Sequence, residues 1–296
     1  MKIRRKIISF FTALCLFTSF CSILDAKAAE IKGIKVVTSF YPVYILAKNV
    51  ARDVPGVLVQ NFTPPMTGCL HDYTVSTNDM RKLADAQVFV ANGAGAESFL
   101  DKIVNGYPNL KIVDLSKDIP LIKGLSGEYN SHVWVSISNS ISQAKILGKA
   151  LGEFDPAHKE LYDKNTIEYV AKLEVLREKM HSELAEFKAR AIITFHEAFP
   201  YFSEEFGFNI IAVVEREPGS EPSAKELADT IEIVRKHNVV PLFVEPQYPA
   251  SVAKTIAKET KASIYILDPV VIGPDDYDAY LDIMENNLKI LKQALR

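Results

Sequence analysis

AIITFHEAFPYF, Ala191 to Phe202, is the stretch whose reading decides the fold. It opens with a short β-branched run, Ile192-Ile193-Thr194, and Ala191 to Phe195 reads as a buried strand. From Glu197 to Phe202 the apolar pattern suits a short helix, with Pro200 in a first turn, where a missing N–H costs little. His196 falls between the two, at the carboxyl end of the strand. Ligands of open α/β sheets gather at the carboxyl ends of strands. Taken alone, His196 reads more simply as a helix-start histidine bonded to backbone. The rest of the chain bears on that choice.

Working outward, the same strand-then-helix unit recurs on both sides. Before the stretch, strands read at 34–40, 57–62, 88–90 and 110–113, and helices at 43–52, 76–83, 97–104 and 135–152. After it, strands read at 210–214, 239–244 and 264–267, with helices at 198–206, 223–237, 249–260 and 275–294. Such alternation predicts an α/β chain with two lobes, each holding a parallel four-stranded sheet. Between the halves Asp155 reads as an N-cap and Pro156 as the first helical residue, and no further Gly or Pro occurs up to Arg190. Leu161, Ile167, Val170, Leu173, Leu176, Met180 and Leu184 recur near helical spacing. One long helix of roughly 33 residues, about 50 Å, is expected to join the lobes as a stiff connector. The expected division is a signal peptide at 1–28, an N-terminal lobe at 29–154, a linking helix at 155–190 and a C-terminal lobe at 191–296.

The chain has 296 residues, 48% hydrophobic and 24% charged, a globular composition long enough for two domains. Lys2, Arg4, Arg5 and Lys6 precede an apolar run from Ile7 to Leu24, and Ala26-Lys27-Ala28 offers a small-x-small cleavage site. An exported protein follows, periplasmic or on the cell surface, with Ala29 as first mature residue. An uncleaved membrane anchor and a lipid on Cys21 are the other readings; Thr18-Ser19-Phe20 fits a lipid site poorly. Loss of five basic residues and one acid moves the formal net charge from −3 to −7, which argues against a nucleic-acid partner. Cys69 is the one cysteine of the mature chain, so no intramolecular disulfide is expected, and the chain is expected to be a monomer.

Of six histidines, His158, His181 and His237 fall in helical segments rich in Lys and Glu and read as solvated surface. His71, His132 and His196 fall in loops after strands, and so does Asp268. Two of these four belong to each lobe, so they converge if the strand ends face one another. Three imidazoles and one carboxylate suit a four-coordinate Zn(II) site. No G-x-S-x-G elbow or Walker loop is present, and Asn92-Gly93-Ala94-Gly95 lacks the full dinucleotide fingerprint. Cys69 could be a soft ligand or a nucleophile, but a small residue in a Gly-containing loop is the simpler reading.

With these residues in view the chain resembles the cluster A-I (cluster 9) metal-binding proteins that feed zinc or manganese to ABC importers. Gly68-Cys69-Leu70-His71-Asp72-Tyr73 is similar to the family's G-x-x-H-x-Y, and Asn92 to Glu97 to its N-G-x-x-x-E. Ser131-His132-Val133-Trp134 resembles P-H-x-W, and His196 to Phe202 resembles H-x-A-F-x-Y-F. Glu221-Pro222-Ser223, Val244-Glu245-Pro246 and Leu267-Asp268-Pro269 match further segments. The resemblance implies two α/β lobes joined by one long helix, metal ligands His71, His132, His196 and Asp268, and a membrane permease as partner. Tyr73, Trp134, Arg216 and Glu245 are the expected supporting residues around the ligands. The chain departs from the family with Ser131 before His132, with Thr74-Val75-Ser76 after Tyr73, and with a segment 116–130 that holds no histidine.

The resemblance implies a binding protein rather than an enzyme, carrying Zn(II) with Mn(II) as the second candidate. Mg(II) and Ca(II) would want mostly oxygen ligands. A secreted zinc hydrolase is one alternative. It needs an open coordination position and a general base, for which Glu197 or Glu245 could serve. A surface adhesin is the other.

Overall fold

The computed structural model describes residues 33–64, 67–70, 73–214, 222–247 and 249–296, with Val104 as backbone only. The segment 1–28 expected to be a signal peptide, His71, Arg216 and Glu221 lie outside the described residues. Residues 34–296 form one compact unit.

Two parallel four-stranded sheets carry the chain, as the alternation predicts. In the first, β1 (Ile34–Thr38), β2 (Val57–Asn61), β3 (Val88–Ala91) and β4 (Lys111–Asp114) run in the order β2-β1-β3-β4. All four residues of β3 are buried, because helices cover both faces of a parallel sheet. In the second, β5 (Ala191–Thr194), β6 (Asn209–Val213), β7 (Pro241–Val244) and β8 (Ser263–Ile266) run β6-β5-β7-β8. Both orders step outward on either side of their first strand. The loops after β1 and β3, and after β5 and β7, therefore diverge and leave a crevice at the strand ends.

The helices are α1 (Tyr41–Val50), α2 (Thr77–Lys82), α3 (Leu100–Gly106), α4 (Ile137–Phe154), α5 (Lys159–Leu184), α6 (Pro200–Phe206), α7 (Ala224–His237), α8 (Ser251–Glu259) and α9 (Ala279–Leu295). Helix α3 begins three residues later than its expected start, because Glu97 folds back onto the N–H groups of Asn92 and Gly93 instead of entering a helix. Strand β7 starts at Pro241 rather than Val239, because Asn238, in the left-handed region, first closes α7.

The connector is a 26-residue α-helix, α5, flanked by short 3-10 turns at Pro156–His158 and Ala185–Phe187. At 1.5 Å per residue its α-helical part is about 39 Å long. Asp155 does not cap it through a backbone N–H. Its carboxylate instead holds Nδ1 of His158 at 2.8 Å and the Tyr162 hydroxyl at 3.1 Å, and the first turn tightens. Helix α4 lies close against α5 at Gly148, where a Cβ would come within 2.1 Å of the Thr166 hydroxyl. Helix α9 follows the second sheet in sequence but buries Met284, Leu288 and Leu291 in the core shared with β1, β3, α1 and α5. A separate core beneath α7 and α8 joins Ile193, Leu242, Val244, Val234 and Ile256.

Glu205 of α6 locks the two halves together at a helix terminus. Its carboxylate accepts from Ser136 Oγ and Ser138 Oγ, each at 2.6 Å, and from the Ser138 N–H at the start of α4. A negative charge suits the positive end of the helix dipole there. Glu205→Ala should lower unfolding stability by about 2 kcal/mol, the range for hydrogen bonds to a charged group. Denaturant midpoints of the two proteins measure it; an unchanged midpoint would remove this clamp from the account.

Candidate metal centre

The described centre of the site is a pair of imidazoles. His132 follows β4 and is 1% exposed; His196 follows β5 and is 3% exposed. Their Nε2 atoms lie 3.0 Å apart, and the rings meet edge to face at 4.8 Å. Strand-end loops of both lobes thus meet at one point, where His196 stands against His132.

Asn130 decides which nitrogen of His132 faces the centre. Its Oδ1 accepts the His132 backbone N–H at 3.0 Å, so this atom is the oxygen. The same Oδ1 lies 3.1 Å from His132 Nδ1, which must then carry the proton. Nε2 is left with a lone pair pointing at His196, the form in which imidazole binds a metal. The Asn130 amide nitrogen donates to the Glu197 carbonyl at 2.8 Å, which ties this orientation to the other lobe. Asn130 was not among the expected supporting residues; the signal available in sequence was a short amide two residues before a candidate ligand.

Behind His132 the segment Asn92 to Glu97 acts as a bracket. Asn92 Nδ2 donates to the Ser131 carbonyl at 2.8 Å, and Gln143 donates to Asn92 Oδ1 at 3.1 Å. Glu97 accepts the N–H groups of Asn92 and Gly93 at 2.7 and 3.1 Å. Gly93 has φ +81, and a Cβ there would meet Asp114 Oδ1 at 1.9 Å, so only glycine fits. Burial of Glu97 pushes its carboxyl up to about 7 against those two bonds.

The expected residues fall into several groups. Trp134 packs its ring 5.1 Å from His132 and donates Nε1–H to the Pro269 carbonyl at 2.6 Å. Asp268 lies on the loop after β8, where Asn287 of α9 holds its backbone from both sides and its own Oδ1 accepts the Val270 N–H at 2.7 Å. Val270 has φ +61, a costly conformation for a β-branched residue, in the same turn. Burial raises the Asp268 carboxyl to about 6. Glu245 is buried after β7, and the Gln247 amide donates to its Oε2. Tyr73 turns away from the imidazoles: its hydroxyl donates to Asp79 at 2.6 Å in the capping box of α2. Against the opposing effect of burial, four bonds to that carboxylate, two from Ser76 and one each from Tyr73 and Lys82, hold it down to about 2.

Among the described residues one group of potential ligand atoms gathers within 4.8 Å: Cys69, His132 and His196. Cys69 Sγ lies 3.6 Å from His132 Nε2. Of the three sequence readings of Cys69, that of a soft ligand is the one this placement supports. Asp268 is not in this group.

The comparisons agree with a metal centre. The family profile described as "ZnuA: Zinc-uptake complex component A periplasmic" matches residues 36–294. The zinc-binding lipoprotein AdcA of Streptococcus pneumoniae is 30% identical over 313 residues, covering 98% of this chain and 61% of AdcA. The chain thus spans about 61% of that relative's length. The high-affinity zinc uptake system protein ZnuA of Bacillus subtilis is 30% identical over 292 residues, covering 90% of each. Among solved structures, the SBP FpvC of Pseudomonas aeruginosa in complex with Mn2+ has a TM-score of 0.80 at 27% identity, covering 89% of this chain and 98% of that one. The laminin binding protein Lmb of Streptococcus agalactiae, described as a bifunctional protein with adhesin and metal transporting activity, has a TM-score of 0.80 at 28% identity, covering 89% and 100%.

Two outcomes follow from this bracket and amide. Asn130→Ala should weaken metal binding about 10–100-fold, as for other residues that orient a ligating imidazole, with the fold retained. Calorimetric titration with zinc checks it; full affinity would show that Asn130 does not set the tautomer. The folded pKa of Glu97 lies above the ordinary carboxylate value, so ionisation opposes folding increasingly as pH rises from about 4.5 to about 7. Stability from this group is greatest at low pH. Melting temperatures of Glu97→Gln should therefore change less over that interval than those of the parent chain; identical profiles would rule out Glu97 as the titrating group.

Proposed function

This chain belongs to the ZnuA family, and we propose that it captures zinc outside the membrane and delivers it to the permease of an ABC importer. The observation that carries the reading is the lone pair of His132 Nε2, held by Asn130 and aimed at His196 in a buried crevice between strand ends of both lobes. Two neutral nitrogen donors at that spacing suit Zn(II) better than the oxygen-seeking Mg(II) or Ca(II). His71 is the third imidazole of the proposed set, from the motif that begins at Gly68. An anionic fourth ligand offsets part of the metal's charge, and Asp268 is the carboxylate that the sequence motifs put forward. Trp134 and Glu245 support the loops; Arg216 is assigned to the same surroundings from sequence alone.

The protein acts as a carrier in this reading, not as a catalyst. A filled four-ligand sphere leaves no position for an activated water. It is exported by its N-terminal segment and works as a monomer against its permease.

Zinc is the proposed cargo, with manganese second. The divalent affinity order places Zn(II) well above Mn(II) for nitrogen donors, and the third ligand here is His196 rather than a carboxylate. Metal-free protein offered equal free Zn(II) and Mn(II) should hold predominantly zinc by mass spectrometry. His196→Glu should shift that ratio toward manganese. Predominant manganese in the parent chain would sink the zinc assignment, and an unshifted ratio in the variant would mean that this ligand does not select the metal.

A further inference from the structure

Five side chains compete for four places around a tetrahedral zinc: His71, His132, His196, Asp268 and Cys69. Three of them lie in the described cluster, and Cys69 is one of those three while Asp268 is not. With Zn–N of about 2.0–2.1 Å and Zn–S of about 2.3 Å, tetrahedral geometry puts two nitrogens about 3.4 Å apart and a sulfur about 3.6 Å from a nitrogen. His132 Nε2 and His196 Nε2 lie at 3.0 Å, and Cys69 Sγ lies at 3.6 Å from His132 Nε2. The thiol therefore stands at the distance from the imidazole that a shared metal requires. It does so on the side of His132 that Asn130 leaves as a lone pair. One oxygen of the Asp268 carboxylate, Oδ1, accepts the Val270 N–H, and Asn287 pins the backbone of the loop that carries it.

We propose that the Cys69 thiolate is a direct ligand of the cargo zinc, sharing it with Nε2 of His132 and Nε2 of His196 and taking the anionic place that the sequence assigned to Asp268. The assignment rests on the metal-carrier reading above and changes one ligand of it. Binding exchanges the thiol proton for the metal, so one S–H bond is lost, one Zn–S bond forms, and the proton goes to solvent. A thiolate is a soft donor that suits zinc and disfavours manganese. Selection against manganese then lies in Cys69 as well as in His196. The partial exposure of Cys69, beside two imidazoles that are almost fully buried, also puts the sulfur on the solvent side of the site.

Cobalt(II) reports thiolate ligation through an intense sulfur-to-metal charge-transfer absorption in the near ultraviolet. The full mature chain, purified metal-free under reductant and loaded with cobalt(II), should show that band. Asp268→Asn should keep it and Cys69→Ser should lose it. Cys69→Ser should still bind cobalt, with zinc affinity reduced about 10–100-fold and manganese affinity unchanged. Zinc-edge X-ray absorption of the parent chain needs no variant and should show one sulfur at about 2.3 Å. Stoichiometric cobalt binding without the band, a band that survives Cys69→Ser, or a zinc shell of nitrogen and oxygen alone would each overturn the thiolate assignment while leaving the carrier reading intact. A parent chain that binds neither cobalt nor zinc would overturn both.

Discussion

One side-chain amide sets the chemistry of this site. Asn130 Oδ1 takes two bonds from His132, one from the backbone and one from the ring, and its Nδ2 reaches the Glu197 carbonyl across the lobes. A neutral imidazole has one proton for two nitrogens. If the proton sat on Nε2, His132 would present a donor to an incoming cation. The amide holds it on Nδ1 instead, and it does so only while Glu197 stays in place. Ligand chemistry and lobe arrangement therefore depend on the same contact.

The remaining bonds around the site extend that coupling. Tyr201 of α6 accepts the Ile122 N–H at 3.1 Å and donates to the Asn130 carbonyl at 2.8 Å, so the loop before His132 is fastened to the second lobe at both ends. Trp134 grips the Pro269 carbonyl, and Tyr280 of α9 donates to the Trp134 carbonyl at 2.8 Å. This second chain of bonds runs from the His132 loop through the Asp268 loop to the last helix. The left-handed Val270 is stable because its turn is held on every side: Asp268 on its N–H, Asn287 on the loop, and full burial of its own side chain. Strain of about 1–3 kcal/mol in one residue persists where its surroundings over-determine it.

The fold was legible in sequence because parallel sheets write long apolar strands at regular intervals and α5 writes a stretch without breakers. Boundaries failed where a side chain took over a backbone's role. Glu97 looks like helix-forming sequence, yet it spends both oxygens on Asn92 and Gly93, and α3 starts later. At the site, the histidines could be picked out because they alone sit after strands without a charged helix around them. Asn130 could not, and Cys69 could be read only as one of three alternatives, a soft ligand, a nucleophile or a loop residue. Each is a small polar residue in a loop, and what distinguishes them is a distance of 3.1 Å and 3.6 Å to the same imidazole. Tyr73 shares the motif of a candidate ligand, and its hydroxyl serves the α2 cap.

These cross-links also limit how the site can open. A hinge between the lobes would have to break the Glu205 bonds to Ser136 and Ser138, both Tyr201 bonds, the Asn130–Glu197 bond and the Trp134–Pro269 bond. At about 1 kcal/mol net for each neutral bond and about 2 kcal/mol for the Glu205 clamp as a whole, a concerted opening costs more than a typical allosteric coupling provides. Helix α5, packed along its length on α4 and α9 with no glycine or proline inside it, adds no flexible point. The loop that bears Cys69 enters the described cluster through a partly exposed side chain, whereas the imidazoles of His132 and His196 are buried in the cross-linked frame.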